Sequence, residues 1–236
     1  MKYFLTLLMM VCLGLSAHAQ LWFDAGIKGA FGPTFMNDRN VFDSGNYKHK
    51  ITTGTSLGGR LGVNFGYHAG ISLEYASATG RQDFNYLSKV YNSFKWKHND
   101  LSVLFRYSGN GAYFEIGGEY SKIKEVELKS ESLTGPTDVT PNFAKNYKSG
   151  VVGFGSYLLG GGLFTVNLGI RLHYSIDDMI SDEGKDNNYP IVVYTLPDRT
   201  KKTMATAAQL QLEVNYAFGR FAKSACHDRW RLLLFQ

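Results

Sequence analysis

The chain has 236 residues, of which 44% are hydrophobic and 19% are charged, and its formal net charge is +5. This hydrophobic content is too high for a disordered chain, no apolar run is long enough for a membrane-spanning helix, and no dense basic cluster marks a nucleic-acid-binding surface. Glycine (26 residues) and aromatic residues (14%) are abundant, proline (5 residues) is scarce, and there is no Gly-X-Y period. The composition therefore excludes collagen and favours strands joined by tight turns.

The N-terminal segment has the pattern of a secretory signal peptide. Lys2 precedes an apolar stretch from Tyr3 to Leu15, and Ala17-His18-Ala19 offers a small-residue cleavage site. We therefore expect residues 1–19 to be removed and the protein to be exported. Only Cys226 would remain, so the mature chain can form no intramolecular disulfide.

Apolar and polar residues alternate with a period of two in eight segments, and this alternation predicts strands with one apolar face each. The clearest segments are the seventh, Phe164 to Tyr174, and the eighth, Gln209 to Phe218. The predicted strands are 21–31, 57–68, 71–76, 101–107, 113–120, 149–159, 164–174 and 209–218.

The connections between these segments alternate between short and long. Short glycine-rich turns at 68–70, 108–111 and 160–162 predict hairpins. Long polar links at 37–55, 79–93, 124–148 and 177–203 predict exposed loops. Such long loops are uncommon in a compact soluble domain, whereas short periplasmic turns and long outer loops are typical of outer-membrane barrels.

The volume of the barrel decides which face of each strand points outward. An eight-stranded barrel encloses only enough space for side chains or one small ligand, so the many Phe, Tyr, Leu and Ile residues of the apolar faces cannot all lie inside. We therefore predict an all-β fold, an eight-stranded antiparallel up-and-down transmembrane β-barrel over residues 20–221, with its apolar face towards lipid. The expected location is the outer membrane of a Gram-negative bacterium.

Aromatic residues cluster at the short-turn ends of the predicted strands. Such clustering is typical of the aromatic girdle at a membrane interface; the alternative is the ordinary enrichment of aromatic residues in strands. The predicted periplasmic girdle comprises Trp22, Phe65, Tyr67, Phe105, Tyr107, Phe164, Tyr216 and Phe218.

Charged residues occupy the polar faces, which would line the lumen. Arginine binds carboxylates in a bidentate manner, and an unpaired buried charge is costly, so we expect a charge-paired network that fills the lumen; the alternative is a selectivity constriction or a proton path. The predicted network comprises Asp24, Lys28, Arg60, Glu74, Arg106, Glu115, Glu119, Arg171, His173 and Glu213.

No segment carries a recognisable catalytic or metal-binding motif. His173 lies near Glu and Ser positions, but no Gly-X-Ser-X-Gly or comparable nucleophile motif accompanies it. His49, His68, His98 and His227 lack the spacing of metal ligands. We therefore predict no catalytic residue, no metal and no cofactor.

Residues 222–236 follow the last predicted strand and end in a basic, aromatic and apolar segment. We expect this tail in the periplasm, where it lies at the inner leaflet, pairs as an irregular extension of the barrel, or helps recognition by the assembly machinery. A ninth spanning strand is disfavoured because it would place the C-terminus on the opposite side of the membrane.

Four segments resemble the PorT-type outer-membrane β-barrel family of Bacteroidota-like bacteria and, more distantly, small OmpX/OmpA-type barrels: Gly26–Gly29, Ala112–Gly117, Leu168–Tyr174 and Leu210–Phe218. The resemblance implies the barrel architecture and, through the founding member, a link to protein secretion.

We expect a non-enzymatic role in envelope structure, surface recognition, or support of secretion or assembly. The alternatives are a narrow-pore transport protein and a lipid-modifying enzyme. The expected partners are outer-membrane lipid, the barrel assembly machinery and an extracellular or envelope protein bound through the loops, with no nucleic acid.

Overall fold

The computed structural model describes residues 21–43, 47–66, 68–86, 89–130, 133–161, 163–191, 201–223 and 230–234. The predicted signal peptide, Tyr67 of the predicted girdle, Cys226 and His227 lie outside the described residues. Among the described residues, no helix is long and apolar enough to cross a bilayer.

Most of the described chain is β-strand, with short helical segments between some strands. The helical segments are α1 (Arg39–Asp43), a 3-10 turn (Thr140–Asn142) and α2 (Asp182–Asp186). The strands are β1 (Leu21–Asp38), β2 (Tyr47–Lys50), β3 (Thr52–Phe65), β4 (Ala69–Tyr86), β5 (Lys89–Gly109), β6 (Ala112–Ser130), β7 (Thr137–Asp138), β8 (Asn146–Gly161), β9 (Phe164–Ser175), β10 (Thr203–Lys223) and β11 (Trp230–Leu234).

Eight of these strands close a barrel. Their order is β1-β3-β4-β5-β6-β8-β9-β10, every neighbouring pair is antiparallel, and β10 pairs back to β1 over Leu21–Asp38. Each of these eight strands therefore pairs with the barrel strands that precede and follow it along the chain. Closure of the described strands leaves no long unpaired edge. The predicted eight-stranded antiparallel up-and-down barrel is confirmed.

Glycine makes the tight turns between hairpin partners possible. Asn110 and Gly111, between β5 and β6, have φ values of +52° and +79°, the left-handed conformation that two-residue hairpin turns require. Gly66, after β3, has φ of +65°. We call the end of the barrel that carries these connections the short-turn end, and the opposite end the long-loop end.

Apolar side chains cover the outside of the barrel next to the short-turn end. Ile27 is 68% exposed and Leu57 is 72% exposed, whereas Glu74, on the opposite face, is 1% exposed. Soluble monomers rarely expose such a large continuous apolar surface, so lipid surrounds it. This apolar belt comprises Ile27, Phe31, Leu57, Leu61, Phe65, Ile71, Leu73, Tyr75, Leu101, Val103, Phe105, Tyr107, Phe114, Ile116, Tyr120, Val152, Phe154, Phe164, Ile170, Leu172, Tyr174, Leu210, Leu212 and Phe218.

The polarity of the strand faces inverts towards the long-loop end. In β5, Phe94 and Trp96 are buried inside the barrel while Lys95 and Lys97 are exposed on its outer wall. This arrangement, apolar inside and polar outside, is that of a barrel surrounded by water. We call this part of the molecule, beyond Tyr120 and its neighbours on the other strands, the head.

The prediction of four long exposed loops is therefore wrong for residues 79–93 and only partly right for the other three links. Residues 79–93 belong mostly to β4 and β5, and residues 37–55 contain β2 and α1. Residues 124–148 include the end of β6, and residues 177–203 include α2. Where these segments form strands, as at Thr79 and Arg81 of β4 and at Glu127 and Lys129 of β6, the outward residues are polar, so their composition resembles that of loops.

The C-terminal tail adds one short strand at the short-turn end. β11 pairs with Gly219–Lys223 of β10, with Leu234 opposite Gly219. It therefore lies along the same edge of β10 as β9, beyond the last β9–β10 pair, which joins Phe164 and Tyr216. This strand has only five residues and does not span the barrel. Of the arrangements expected for the tail, its described part shows pairing as an extension of the barrel sheet.

Charge on the outer wall should be costly in the belt and tolerated in the head. Leu73 and Ser77 are exposed on the same face of β4, so we predict that Leu73→Arg costs about 2–4 kcal/mol and Ser77→Arg about 0–1 kcal/mol in a lipid bilayer. Reversible urea unfolding in vesicles measures both. Equal costs for the two substitutions would contradict the position of the belt.

Candidate functional site

Arg171, in β9, lies at the centre of the lumen, and its side chain is 2% exposed. Its Nη1 donates to Oε2 of Glu74 at 2.7 Å, and its Nε donates to Oε1 of Glu115 at 2.7 Å. These carboxylates belong to β4 and β6, so one guanidinium joins three strands across the interior. Such charge-assisted bonds are about twice as strong as neutral ones.

Glu213, in β10, is fully buried and is the second centre of the lumen. Its two carboxylate oxygens accept hydrogen bonds from Nη1 and Nη2 of Arg106, both at 2.8 Å. Arg60 adds a contact at 3.2 Å, and Asn215 donates at 2.6 Å. Arg106 also contacts Glu115 at 3.0 Å, so the two centres form one network.

Two further pairs complete this network and balance its charge. Lys28 contacts Glu74, and Arg60 lies 3.2 Å from Asp24. The connected set therefore contains four cations and four carboxylates, all with side chains at most 7% exposed. This set is the lumen network: Lys28, Arg60, Arg106, Arg171, Asp24, Glu74, Glu115 and Glu213.

Glycines in β8 and β9 make room for the large side chains of the lumen. A Cβ at Gly153 would lie 2.5 Å from Oε1 of Glu115, and one at Gly169 would lie 2.2 Å from the hydroxyl of Tyr113. The ring of Tyr113 packs under Arg106, whose Cζ is 4.3 Å from the ring centroid. Gly153 of β8 and Gly169 of β9 are thus required by the packing of the lumen.

The other two predicted lumen residues, Glu119 and His173, form a separate layer closer to the long-loop end. Nδ1 of His173 lies 3.0 Å from Oε1 of Glu119, whose other oxygen accepts from Ser102 at 2.8 Å. Asp100 and His98 lie in the same layer, 3.4 Å apart. All ten predicted lumen residues are therefore inside the barrel, eight of them in the lumen network.

A cluster of apolar side chains fills the barrel interior in the head, beyond this layer. We call it the apolar cap. Phe84 and Phe94 are fully buried, with ring centroids 6.0 Å apart, and Trp96 is 2% exposed. The cap comprises Met36, Val41, Tyr47, Phe84, Phe94, Trp96, Ile123, Val126, Leu128, Val139, Phe143, Tyr147, Met179, Ile180, Tyr189, Ile191 and Ala205.

The sequence interpretation missed this cap, although the signal is present. In β6, Val126 and Leu128 alternate with the polar residues Glu125, Glu127 and Lys129. A bulge at Lys124 shifts the inward positions from odd to even numbers, since the register passes from His98↔Ile123 to Lys97↔Glu125. The head could be predicted from alternation in which the polar residues face outward, if one extra residue is allowed at the bulge.

Small cavities lie inside the described part of the barrel, on either side of the lumen network. One, between the network and the apolar cap, has about 40 Å³ of space for water-sized molecules and is lined in part by Lys28, Trp96 and His173. The other, at the short-turn end, has about 50 Å³ and is lined in part by Trp22 and Asn64. Each has room for only a few water molecules.

The structure places one predicted girdle residue elsewhere. Trp22 is on the lumen side with Asp24, and its Nε1 donates to the carbonyl of Gly66 at 2.7 Å. Including Trp22 in a lipid-facing girdle was wrong, because period-two alternation gives residues 22 and 24 the same face. Phe65, Phe105, Tyr107, Phe164 and Phe218 are exposed, and Tyr216 is half-buried against Phe164.

Histidine and acidic residues do not form a metal centre in the described part of the chain, where no group of three or more His, Cys, Asp or Glu has suitable geometry. His68 lies at the short-turn end, with its Nδ1 2.8 Å from the carbonyl of Ser108. His49 is in the head, where its ring contacts that of Phe84.

No protein-family model matches the chain, and a search of curated proteins finds no match. The chain is similar in fold to Neisserial surface protein A (TM-score 0.45, 11% identity, 83% of this chain and 97% of that chain). It is also similar to the outer membrane protein OprG from Pseudomonas aeruginosa (TM-score 0.41, 12% identity, 85% and 96%). A third similar structure is Ail, the attachment invasion locus protein of Yersinia pestis, in complex with the heparin analogue sucrose octasulfate (TM-score 0.40, 12% identity, 84% and 99%).

With identities of 11–12%, these similarities concern the fold and carry no argument about the role of this chain. The resemblance of the sequence to the PorT-type family stays a prediction. The strand pairing and the facing of the side chains establish the architecture. The chain has the fold of an integral outer-membrane β-barrel, with eight strands around a charge-filled lumen.

Removing one charge from the lumen network should cost more than removing a pair. We predict that Glu213→Gln destabilises the barrel by about 3–5 kcal/mol, because it leaves Arg106 and Arg60 under-compensated. Adding Arg106→Met should recover part of this loss. Urea unfolding of the two single variants and the double variant in vesicles measures the coupling; additive costs would contradict the network.

Proposed function

We propose that the protein is a non-enzymatic, non-conducting barrel of the outer membrane that presents the head as a recognition surface outside the cell. The observation that carries this proposal is the filling of the lumen. The lumen network occupies its middle, and the apolar cap occupies the head. An ion could pass only by breaking buried ion pairs and displacing packed aromatic side chains.

The position of the head supports a role in recognition. In outer-membrane barrels the short turns lie on the periplasmic side, so this orientation places the head outside the cell. Its walls are continuations of β4, β5 and β6, and the apolar cap packs between them. A rigid scaffold lowers the entropy cost of binding, so the connections of the head are suited to hold a protein partner from the envelope or the exterior.

Support of secretion or assembly is a narrower form of the same proposal. It rests on the sequence resemblance to PorT-type barrels. In this form the partner is another envelope protein bound through the head or through the tail strand β11, which lies at the short-turn end.

A narrow-pore transport protein is the second candidate, and the two lumen cavities favour it. They lie on opposite sides of the lumen network, so a rearrangement of the network would join them. A lipid-modifying enzyme is the third, and the pairing of His173 with Glu119 is the feature in its favour. Unchanged lipid A masses in cells with and without the protein would support the non-enzymatic proposal.

Conductance separates the first two candidates. We predict that the purified protein in planar bilayers gives no stable, reproducible current steps, because the lumen network and the apolar cap close the interior. A large porin in the same bilayers serves as the positive control, since its barrel encloses an aqueous channel. Reproducible steps from the protein would support the transport candidate.

The rigidity of the head is testable through the apolar cap. Trp96 is 2% exposed and Lys95 is exposed on the same strand. We predict that Trp96→Ala costs about 3–5 kcal/mol, whereas Lys95→Ala changes stability by about 0.5 kcal/mol or less. Limited proteolysis should cut the head of the Trp96→Ala variant much faster, with the belt still protected. Equal protection of the two variants would contradict a packed head.

A further inference from the structure

Three exposed lysines form a patch on the outer wall of the head, on the neighbouring strands β6 and β8. We call it the lysine patch: Lys122, Lys124 and Lys148. Lys148 is directly opposite Tyr120 in the ladder, and Lys122 is opposite Asn146. Lys122 and Lys148 are thus diagonal neighbours in the ladder, a relation in which the backbones of the two residues are about 7–8 Å apart.

The bulge in β6 also leaves the third lysine on the outer wall of the head. Lys124 is the extra residue of the bulge and has no partner in the ladder with β5, yet it is exposed on the outer wall. The three lysines therefore follow one another on the outer wall, from the level of Tyr120 towards the head. Neighbouring like charges destabilise a sheet, so the patch favours an anionic partner.

Two carboxylates beside the patch, Glu125 and Asp177, make contacts with other groups. Glu125 accepts a hydrogen bond from Nζ of Lys97 at 2.7 Å, and this bond and charge raise the pKa of Lys97 above its usual value. Asp177 accepts from the backbone N–H of Lys148 at 3.1 Å. Neither carboxylate is held by an ammonium group of the lysine patch in these contacts.

The lysine patch lies directly beyond the apolar belt along β6, and this position indicates which kind of anion it meets. Tyr120 is the last belt residue of β6, and tyrosine lies at the level of lipid headgroups. The next exposed positions of β6 towards the head are Lys122 and Lys124, one and two steps beyond the tyrosine that marks the edge of the belt.

The opposite wall of the barrel lacks these charges. The outward positions of β1 and β3 next to the belt are Pro33, Thr53 and Thr55, all exposed and uncharged. The lysine patch is therefore confined to one side and is not a charged rim that runs around the barrel.

We propose that the lysine patch binds the phosphate groups of lipids in the leaflet that surrounds the base of the head. Basic residues close to a membrane surface attract anionic lipids in this way. The inference depends on the apolar belt lying in lipid and is independent of the recognition role proposed for the head, so failure of one leaves the other standing.

Native mass spectrometry of the full chain in detergent micelles tests this proposal. The probe is dioleoyl phosphatidic acid, and dioleoyl phosphatidylcholine is the comparison lipid. We expect tighter binding of phosphatidic acid, and at least tenfold weaker binding of it by the triple variant Lys122→Gln, Lys124→Gln, Lys148→Gln. The matched control is Lys48→Gln, Lys50→Gln, Lys129→Gln, three exposed lysines far from the belt, for which we expect a change of twofold or less.

Three results would overturn the proposal. They are equal binding of the two lipids, equal weakening by the two triple variants, and displacement of phosphatidic acid by equimolar glycerol phosphate, which would indicate a soluble anion as the partner. Circular dichroism checks folding. Should the triple variant not fold, the single variants Lys122→Gln and Lys124→Gln should each weaken phosphatidic acid binding about threefold, and unchanged binding by both would contradict the proposal.

Discussion

A strand has two faces, and the medium outside the barrel decides what each face must carry. Where lipid surrounds the barrel, the apolar face points outward and the polar face is confined to a narrow interior. The charges placed there are removed from water, so they must pair. The four cations and four carboxylates of the lumen network satisfy this condition, and the glycines of β8 and β9 provide the space they need.

The same constraint explains the head. Beyond the tyrosines of the belt the barrel is surrounded by water, so the faces exchange their roles: lysines lie outside, and aromatic and aliphatic residues pack inside. The strands continue without interruption through this change. One closed sheet therefore serves first as a membrane anchor and then as the wall of a water-exposed domain with its own apolar core.

Much of this arrangement could be predicted from the sequence. Within the belt, the alternation of Phe164–Tyr174 and of Leu210–Phe218 defines both the strands and their facing, and it places Arg171 and Glu213 in the lumen. Beyond the belt, the prediction of exposed loops fails for much of β4, β5 and β6, because residues such as Phe94 and Trp96 point inward and their polar outward neighbours resemble a loop. The bulge at Lys124 further obscures the pattern, since one extra residue reverses the parity.

The partners within the network could not be predicted in the same way. The sequence shows that Arg106 and Glu213 both face the lumen, but their bidentate contact depends on the tilt and stagger of the closed barrel, which bring residues 107 positions apart to 2.8 Å. The short strand β11 is a similar case: β9 begins only at Phe164, opposite Tyr216, so Gly219–Lys223 of β10 have an edge with which β11 can pair.

Depth-resolved spin labelling measures whether the two faces of the sheet exchange their roles between the belt and the head. Single labels at Leu73 and Lys95, both on the outer wall, are compared in vesicles by collision with oxygen, which partitions into lipid, and with a water-soluble nickel chelate. We expect collisions with oxygen to dominate at Leu73 and collisions with the chelate to dominate at Lys95. The same preference at both positions would show that a single medium surrounds the whole barrel and would exclude the exchange of faces.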